Sequence, residues 1–403
     1  MAFLLLVVHF SITAAARAAS DEGCLECHGN LEAVQAAAEA LGITIDDARA
    51  ASLVTFPAPP GSVHEGVECL TCHAAAVEIP HPQGMAKANP CASCHEDAVA
   101  AVNRSVHRDP LGATSLRAPC WACHGAHDVR PATDPRSTLY PPNVARRCLA
   151  CHERQDYLQG VHGLGVQLAG LNVAATCVSC HGGHDIIGPD ESGSRVARRN
   201  VSFTCGKCHG RVAETYRASV HGAALTRSDN PDVPTCVDCH EAHNTQDPFL
   251  PRFRLGTVET CGKCHSNRAM MAKYGISTAV FDTYVADFHG TTAELFRATS
   301  PDQPLNKAVC YDCHGYHDIG SIRTLGTKQV SERLLLRCQA CHPGAKANFI
   351  SAWTGHYVPS PSRYPLIYYV KLFYAFIIPA TVGFFLLYIA VDVIARRRQR
   401  RVE

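Results

Sequence analysis

The sequence has 403 residues, 22 cysteines and 23 histidines, with 37 Lys and Arg against 36 Asp and Glu for a formal net charge of +1. That balance leaves no basic footprint for nucleic acid, and the thiol content is far beyond that of a cytosolic enzyme. A disulfide framework is the usual occupant of many thiols in an exported chain, but it serves much smaller domains and needs no fixed local spacing, whereas the spacing here is fixed throughout.

From the N-terminus, the apolar run Ala2 to Phe10 leads into Ala16-Arg17-Ala18, a small-residue cleavage pattern, so residues 1–19 are expected to be a signal peptide. The run is too short to span a bilayer. Beyond it, every cysteine falls in one of eleven Cys-x-x-Cys-His motifs. In chain order they are Cys24, Cys27 and His28; Cys69, Cys72 and His73; Cys91, Cys94 and His95; Cys120, Cys123 and His124; Cys148, Cys151 and His152; and Cys177, Cys180 and His181. Then come Cys205, Cys208 and His209; Cys236, Cys239 and His240; Cys261, Cys264 and His265; Cys310, Cys313 and His314; and Cys338, Cys341 and His342. Two thiols three residues apart reach both vinyl groups of one porphyrin, and the adjacent histidine is the first axial ligand of its iron. Zinc ribbons also use Cys-x-x-Cys but do not require the histidine. Eleven such histidines by chance have odds on the order of 10⁻¹⁴. Eleven covalent haems c are therefore expected.

Setting aside the motif histidines and His9, eleven histidines remain: His64, His81, His107, His127, His162, His184, His221, His243, His289, His317 and His356. They recur in register with the motifs. A plain motif comes first, then a spacer histidine, then a motif carrying a trailing histidine three residues on. Four copies fit, starting at Cys91, Cys148, Cys205 and Cys261 at intervals of 57, 57 and 56 residues, a period suited to stacked units. The N-terminal copy is irregular, because His81 lies eight residues beyond His73, and Cys338 with His356 forms half a copy. The expected units are about 20–90, 91–147, 148–204, 205–260 and 261–337, each with two haems, and a single haem in 338–363. A trailing histidine follows its motif too closely to reach the far side of the same porphyrin, so it is expected to serve a neighbouring one. Asp128, Asp185, Asn244 and Asp318 follow the trailing histidines and suit either orientation of an imidazole or ordinary turn chemistry. Met85, Met270 and Met271 read as core filler.

The expected fold is mainly α with much irregular structure, an extended array organised around stacked haem pairs, with the haems in place of a conventional core. Short helices are expected at the motifs and longer ones over Leu31–Leu41 and the insert Arg268–Phe296. Arg146, Arg147, Arg198, Arg199, Arg252, Arg254, Arg333 and Arg337 suit pairing with haem propionates or a solvated surface. A transmembrane helix is expected within 364–395, from the uncharged run Leu372 to Val391. Trp353, Tyr364, Tyr368 and Tyr369 form an interfacial belt on one side, and the basic tail 396–403, with Arg396, Arg397, Arg398, Arg400 and Arg401, places the other side in the cytoplasm.

The segments Cys120-Trp-Ala-Cys-His-Gly-Ala-His-Asp, Cys177-Val-Ser-Cys-His-Gly-Gly-His-Asp and Cys310-Tyr-Asp-Cys-His-Gly-Tyr-His-Asp make the chain resemble multihaem cytochromes c of the c3 and c7 type. The C-terminal helix resembles that of c-type subunits in bacterial bc-type quinone oxidoreductase complexes. Those resemblances imply electron transfer at the periplasmic face of the bacterial inner membrane through low-potential bis-histidine haems. They also imply a quinol-oxidising or b-type cytochrome subunit in the membrane and periplasmic or outer-membrane cytochromes as partners. The competing reading is a reductase or oxidase of a small nitrogen or sulfur compound with one five-coordinate haem. It calls for a lysine in place of a motif histidine or a shortage of spare histidines, and the sequence has neither.

Overall fold

The computed structural model describes residues 20–77, 81, 90–108, 119–304, 306–352, 356, 358–362 and 364–399. The chain is helical over 57% and contains no strand among the described residues. The expected signal peptide, Met85 and Trp353 lie outside them. Positions i, i+3 and i+4 share one face of a helix, so one short helix presents both cysteines and the histidine of a motif together. Helices Cys177–His181, Cys236–His240 and Cys310–His314 show how so short an element is started. The second variable residue of each motif reaches back to an orphan N–H before the first cysteine. Thr176 N–H donates to Ser179 Oγ at 3.0 Å, Thr235 N–H to Asp238 Oδ2 at 2.6 Å and Val309 N–H to Asp312 Oδ2 at 2.7 Å.

These helices, and Pro119–His124, stop at the histidine because the next residue turns the chain through positive φ, at Gly125 (80°), Gly182 (92°), Glu241 (64°) and Gly315 (78°). The reversal sends each trailing histidine away from its own motif. Three of these positions carry glycine, which has no steric penalty there; Glu241 holds the same conformation with a Cβ.

Three plain motifs instead sit at the ends of longer helices. Pro141–Leu149 contains Cys148, Pro251–His265 runs through Cys261 and Cys264, and Ile322–Gln339 runs into Cys338. The first two begin with proline in the first turn, where its missing N–H costs nothing.

The spacer histidines are anchored by a device that repeats with them. A tyrosine five residues earlier donates its hydroxyl to a carbonyl just before the second motif: Tyr157 to Ala175 at 2.8 Å, Tyr216 to Pro234 at 2.7 Å and Tyr284 to Ala308 at 2.9 Å. The carbonyl of that same tyrosine occupies the place where a side chain on the residue after the spacer histidine would stand, so Gly163, Gly222 and Gly290 follow His162, His221 and His289. Where the tyrosine is missing, glycine is missing too, as at Glu65 and Arg108. A second recurrent bond joins neighbouring repeats. The residue before a spacer histidine donates its N–H to the carbonyl two residues beyond the next repeat's trailing histidine: Val63 to Val129, Val106 to Ile186, Val161 to Thr245 and Val220 to Ile319, at 2.8 to 2.9 Å.

The chain divides into two compact units, Met1–Glu214 with Thr235–Asp247, and Thr215–Pro234 with Pro248–Glu403, so the division falls inside the fourth repeat. Apolar packing is sparse. In the second unit Leu255, Val258, Ala293 and Val309 form a cluster flanked by Phe281, Tyr284, Phe296 and Tyr311. Leu31–Ala40 is helical as expected and buries Val34 and Ala38. The insert is helical as expected, in three pieces. It breaks into Arg268–Ala272, Val280–Val285 and Phe288–Thr299, because Asn267 and Asp287 cap new starts and Gly275 turns through φ 61°.

Helix Pro365–Gln399 spans 35 residues, with a mean hydropathy of 2.2 over its most apolar stretch and no burial within the protein. At 1.5 Å per residue it is about 50 Å long, more than enough to cross a bilayer.

Gly222→Ala is expected to destabilise the chain by about 3 kcal/mol, because backbone rather than a movable side chain opposes the new methyl. Glu241→Gly is expected to stabilise it by about 1 kcal/mol by relieving positive φ. The urea midpoints of the purified variants against the parent read both.

Candidate metal centres

Ten of the eleven motif histidines face a second histidine of the expected set. The ring centres of His28 and His81 are 6.0 Å apart, His73 and His127 6.2 Å, His95 and His64 6.1 Å, His124 and His184 5.8 Å, and His152 and His107 6.0 Å. Those of His181 and His243 are 6.2 Å apart, His209 and His162 6.2 Å, His265 and His221 6.3 Å, His314 and His356 6.0 Å, and His342 and His289 6.4 Å. His240 lies in the first unit and His317 in the second.

The pairing follows a rule. A spacer histidine faces the plain motif of the next repeat, and the trailing histidines His127, His184 and His243 face the second motif of the previous one, as does His356 of the half copy. The irregular His81 faces the first motif of its own repeat, where no earlier repeat exists to be served.

A metal–imidazole bond of about 2 Å, plus about 1 Å from nitrogen to ring centre on each side, separates two imidazoles on one metal by about 6 Å. The observed spacing fits an axial pair on one iron. Among the described residues no three His, Cys, Asp or Glu side chains converge on a common point. Two facing imidazoles at each of these ten motifs fit a macrocycle that brings four donors of its own.

Electrostatics favour the form that ligates. Burial, reinforced by the facing imidazole, holds His107, His124, His127, His162 and His181 below the ordinary histidine range, and His221 down to about 4. A neutral imidazole keeps a lone pair for a metal.

Among the described residues no cysteine is joined in a disulfide. The two cysteines of a motif differ in their surroundings. Every first cysteine is half-buried, whereas the second is exposed at Cys72, Cys94, Cys123, Cys151, Cys208, Cys239 and Cys341 and half-buried at Cys27, Cys180, Cys264 and Cys313. Within a repeat the first cysteines of the two motifs touch: Cys24 with Cys69, Cys91 with Cys120, Cys148 with Cys177, Cys205 with Cys236, and Cys261 with Cys310. Between repeats a second cysteine meets the next plain motif, Cys72 beside Cys91, Cys123 beside Cys148 and Cys151, Cys180 beside Cys205 and Cys208, and Cys313 beside Cys338. Burial, with the neighbouring Cys338 sulfur adding to it, pushes the Cys313 thiol up to about 11. Within each unit, motifs adjacent in sequence are thus adjacent in space.

The imidazole partners differ from those the sequence suggests. Asp128, Asp185 and Asp318 pair with Arg130 at 2.7 Å, Arg195 at 3.1 Å and Arg337 at 3.2 Å, because each lies just past the turn, where a guanidinium meets it first. Instead, His28 Nδ1 lies 2.9 Å from the Leu53 carbonyl, His127 Nδ1 lies 3.0 Å from Thr55 Oγ1, and His289 Nδ1 lies 3.2 Å from Asp287 Oδ1. Ser62 Oγ and Ser105 Oγ accept the backbone N–H of His64 and His107 at 3.2 and 3.1 Å. The recurrent Ser-Val-His triplets were the sequence signal for these supports.

Several arginines expected to suit propionates have partners within the chain. Arg198 reaches Asp238 at 3.3 Å, Arg252 reaches Asp302 at 2.9 Å, Arg254 reaches Asp312 at 2.8 Å and Arg147 reaches the Trp121 carbonyl at 3.1 Å. Met271 is buried as filler.

A family model described as cytochrome c7 and related cytochrome c matches residues 190–266, the fourth repeat with its flanks. No curated protein and no solved structure matches the chain. The match and the paired cysteines fit a multihaem c-type cytochrome, a class that transfers electrons.

Asp312 both caps the Cys310 helix and pairs with Arg254, so Asp312→Ala is expected to cost about 2 to 3 kcal/mol. Asp312→Ser, the residue the third repeat uses at Ser179, is expected to restore about 1 kcal/mol of that by keeping the cap. Urea unfolding of both variants measures the difference.

Proposed function

We propose that this multihaem c-type cytochrome is an electron carrier of the bacterial inner membrane. In this reading, eleven covalently attached haems c stand in the periplasm, one C-terminal helix crosses the bilayer, and a short basic tail lies in the cytoplasm. The facing histidine pairs, about 6 Å apart at ten motifs, carry the proposal. Haem c, when attached, supplies a one-electron ferric/ferrous couple at each motif.

The motif cysteines would tether each haem, and the facing histidines would hold its iron from both sides. Closed axial positions leave no site for a small substrate, which favours carriage over reduction or oxidation at the metal. The sulfur contacts keep consecutive motifs together, so attached haems would stand next to one another in sequence order within each unit. Burial of the imidazoles keeps them neutral and excludes water from the metal-binding nitrogens.

Pro365–Gln399 contains no histidine, so it anchors the chain and holds no haem of its own. A membrane subunit that oxidises quinol, of b-type cytochrome character, is the proposed electron donor. The motif of Cys338, Cys341 and His342 is the natural entry point, as the last before the anchor. Periplasmic or outer-membrane cytochromes are the proposed acceptors. Five arginines directly after the apolar run support a cytoplasmic tail.

Pyridine haemochrome analysis of the purified protein is expected to give eleven haems per chain, with EPR showing low-spin iron alone. A stoichiometric high-spin signal overturns the carrier reading. Spacer-ligated centres, whose ring planes cross at 48° to 76°, are expected to separate in EPR from the near-parallel centres at 12° to 29°.

His162→Ala tests the pairing rule. It is expected to create one high-spin haem at Cys205 and Cys208, in the repeat after its own. Adding Cys205→Ala and Cys208→Ala should then abolish that signal, whereas Cys148→Ala with Cys151→Ala should leave it. Ending the chain after Ser362 is expected to move the haem-loaded protein from the membrane fraction to the soluble periplasmic fraction.

A further inference from the structure

The residue two places before each spacer histidine is Ser62, Ser105, Gly160, Ser219 or Asp287. Serine at this place caps the helix or turn that carries the histidine. Ser62 and Ser105 accept the histidine N–H, and Ser219 Oγ accepts the N–H of Gly222 at 3.2 Å. Asp287 does this and more. Its Oδ1 accepts the His289 N–H at 2.9 Å and stands 3.2 Å from His289 Nδ1, with the aspartate side chain only 19% exposed. An ionised carboxylate only accepts, so Nδ1 carries the proton and Nε2 is left with its lone pair. His289 in turn faces His342 of the last motif, with ring centres 6.4 Å apart.

We propose that Asp287 is a positioning residue that sets the potential of the haem at Cys338 and Cys341 below the value its repeat geometry alone would give. The proposal rests on the bis-histidine reading above and deepens it. A carboxylate hydrogen-bonded to the far nitrogen of a ligating imidazole raises the basicity of that ligand. A more basic, more negative ligand stabilises ferric over ferrous iron, so the potential falls. The other four spacer histidines have serine or glycine at this place, so a carboxylate there belongs to this centre alone among the five. The last motif precedes the membrane helix. Lowering its potential makes the anchored end the more reducing end of the row, and an electron entering there runs downhill, away from the membrane.

Asp287→Ser is the informative variant, because it installs the residue of the first, second and fourth repeats and keeps the cap. Potentiometric titration of the detergent-solubilised full chain, followed at the haem α band, is expected to show about one haem's absorbance moved to higher potential. The expected size is about tenfold in the ferrous-to-ferric ratio at fixed potential, or about 59 mV for one electron. The charge also acts on His356 and Cys313 of the neighbouring centre, so a smaller shift of a second haem in the same direction is expected. Asp287→Asn, which also keeps a cap, should move the titration the same way, and Asp287→Glu should return it towards the parent.

A flat difference curve, or a shift to lower potential, overturns the proposal. A change in urea midpoint with no change in potential assigns Asp287 to capping alone and also overturns it. The ligation reading fails separately, if the unsubstituted protein shows high-spin iron or fewer than eleven haems.

Discussion

The separation of about 6 Å between facing imidazoles is the constraint on which the rest of this structure turns. It matches the span of two metal–nitrogen bonds and two ring radii, and it recurs at ten Cys-x-x-Cys-His motifs whose surroundings differ. Helix lengths, turn angles and spacer lengths all vary between repeats. What stays constant is the delivery of one imidazole opposite another.

That delivery crosses repeat boundaries in both directions. A repeat sends its spacer histidine forward and its trailing histidine back, and one backbone hydrogen bond ties the two donating segments together at each of four junctions. No interior repeat therefore completes its own centres. The N-terminal end departs from the rule in the way closure demands: with no earlier repeat to serve, His81 turns to His28 of its own repeat. This interdependence explains how a chain with so little apolar packing keeps an order. Buried residues such as Val144, Val166, Leu225 and Leu255 brace individual motifs, while the proposed metal centres link one repeat to the next.

The supports of the imidazoles are less regular than the imidazoles themselves. A carbonyl, a threonine hydroxyl and a carboxylate meet the Nδ1 atoms of His28, His127 and His289. If the centres were uniform, this variety would have no effect. In a row that passes electrons, partners of different charge give otherwise similar centres different potentials, and a slope along the row follows from residues that never touch the metal.

The motif itself was legible in the sequence, because i, i+3 and i+4 positions fall on one helical face whatever surrounds them. So were the trailing histidines' separation from their own motifs and the membrane helix, since both depend on local geometry or on length and hydropathy. The insert holds helices as expected, the longest over Phe288–Thr299, and the turn at Gly275 and the cap at Asp287 divide them. Of the two roles open to Asp128, Asp185 and Asp318, orienting an imidazole gave way to ion pairs with Arg130, Arg195 and Arg337, groups whose approach depends on how the turns fold back. By itself, then, the sequence determined which side chains are available and how they are grouped along the chain. Which histidine faces which motif was decided by tertiary structure alone, because partners 31 to 62 residues apart are brought together by tyrosine anchors, positive-φ turns and bonds between repeats. No local rule of spacing encodes these.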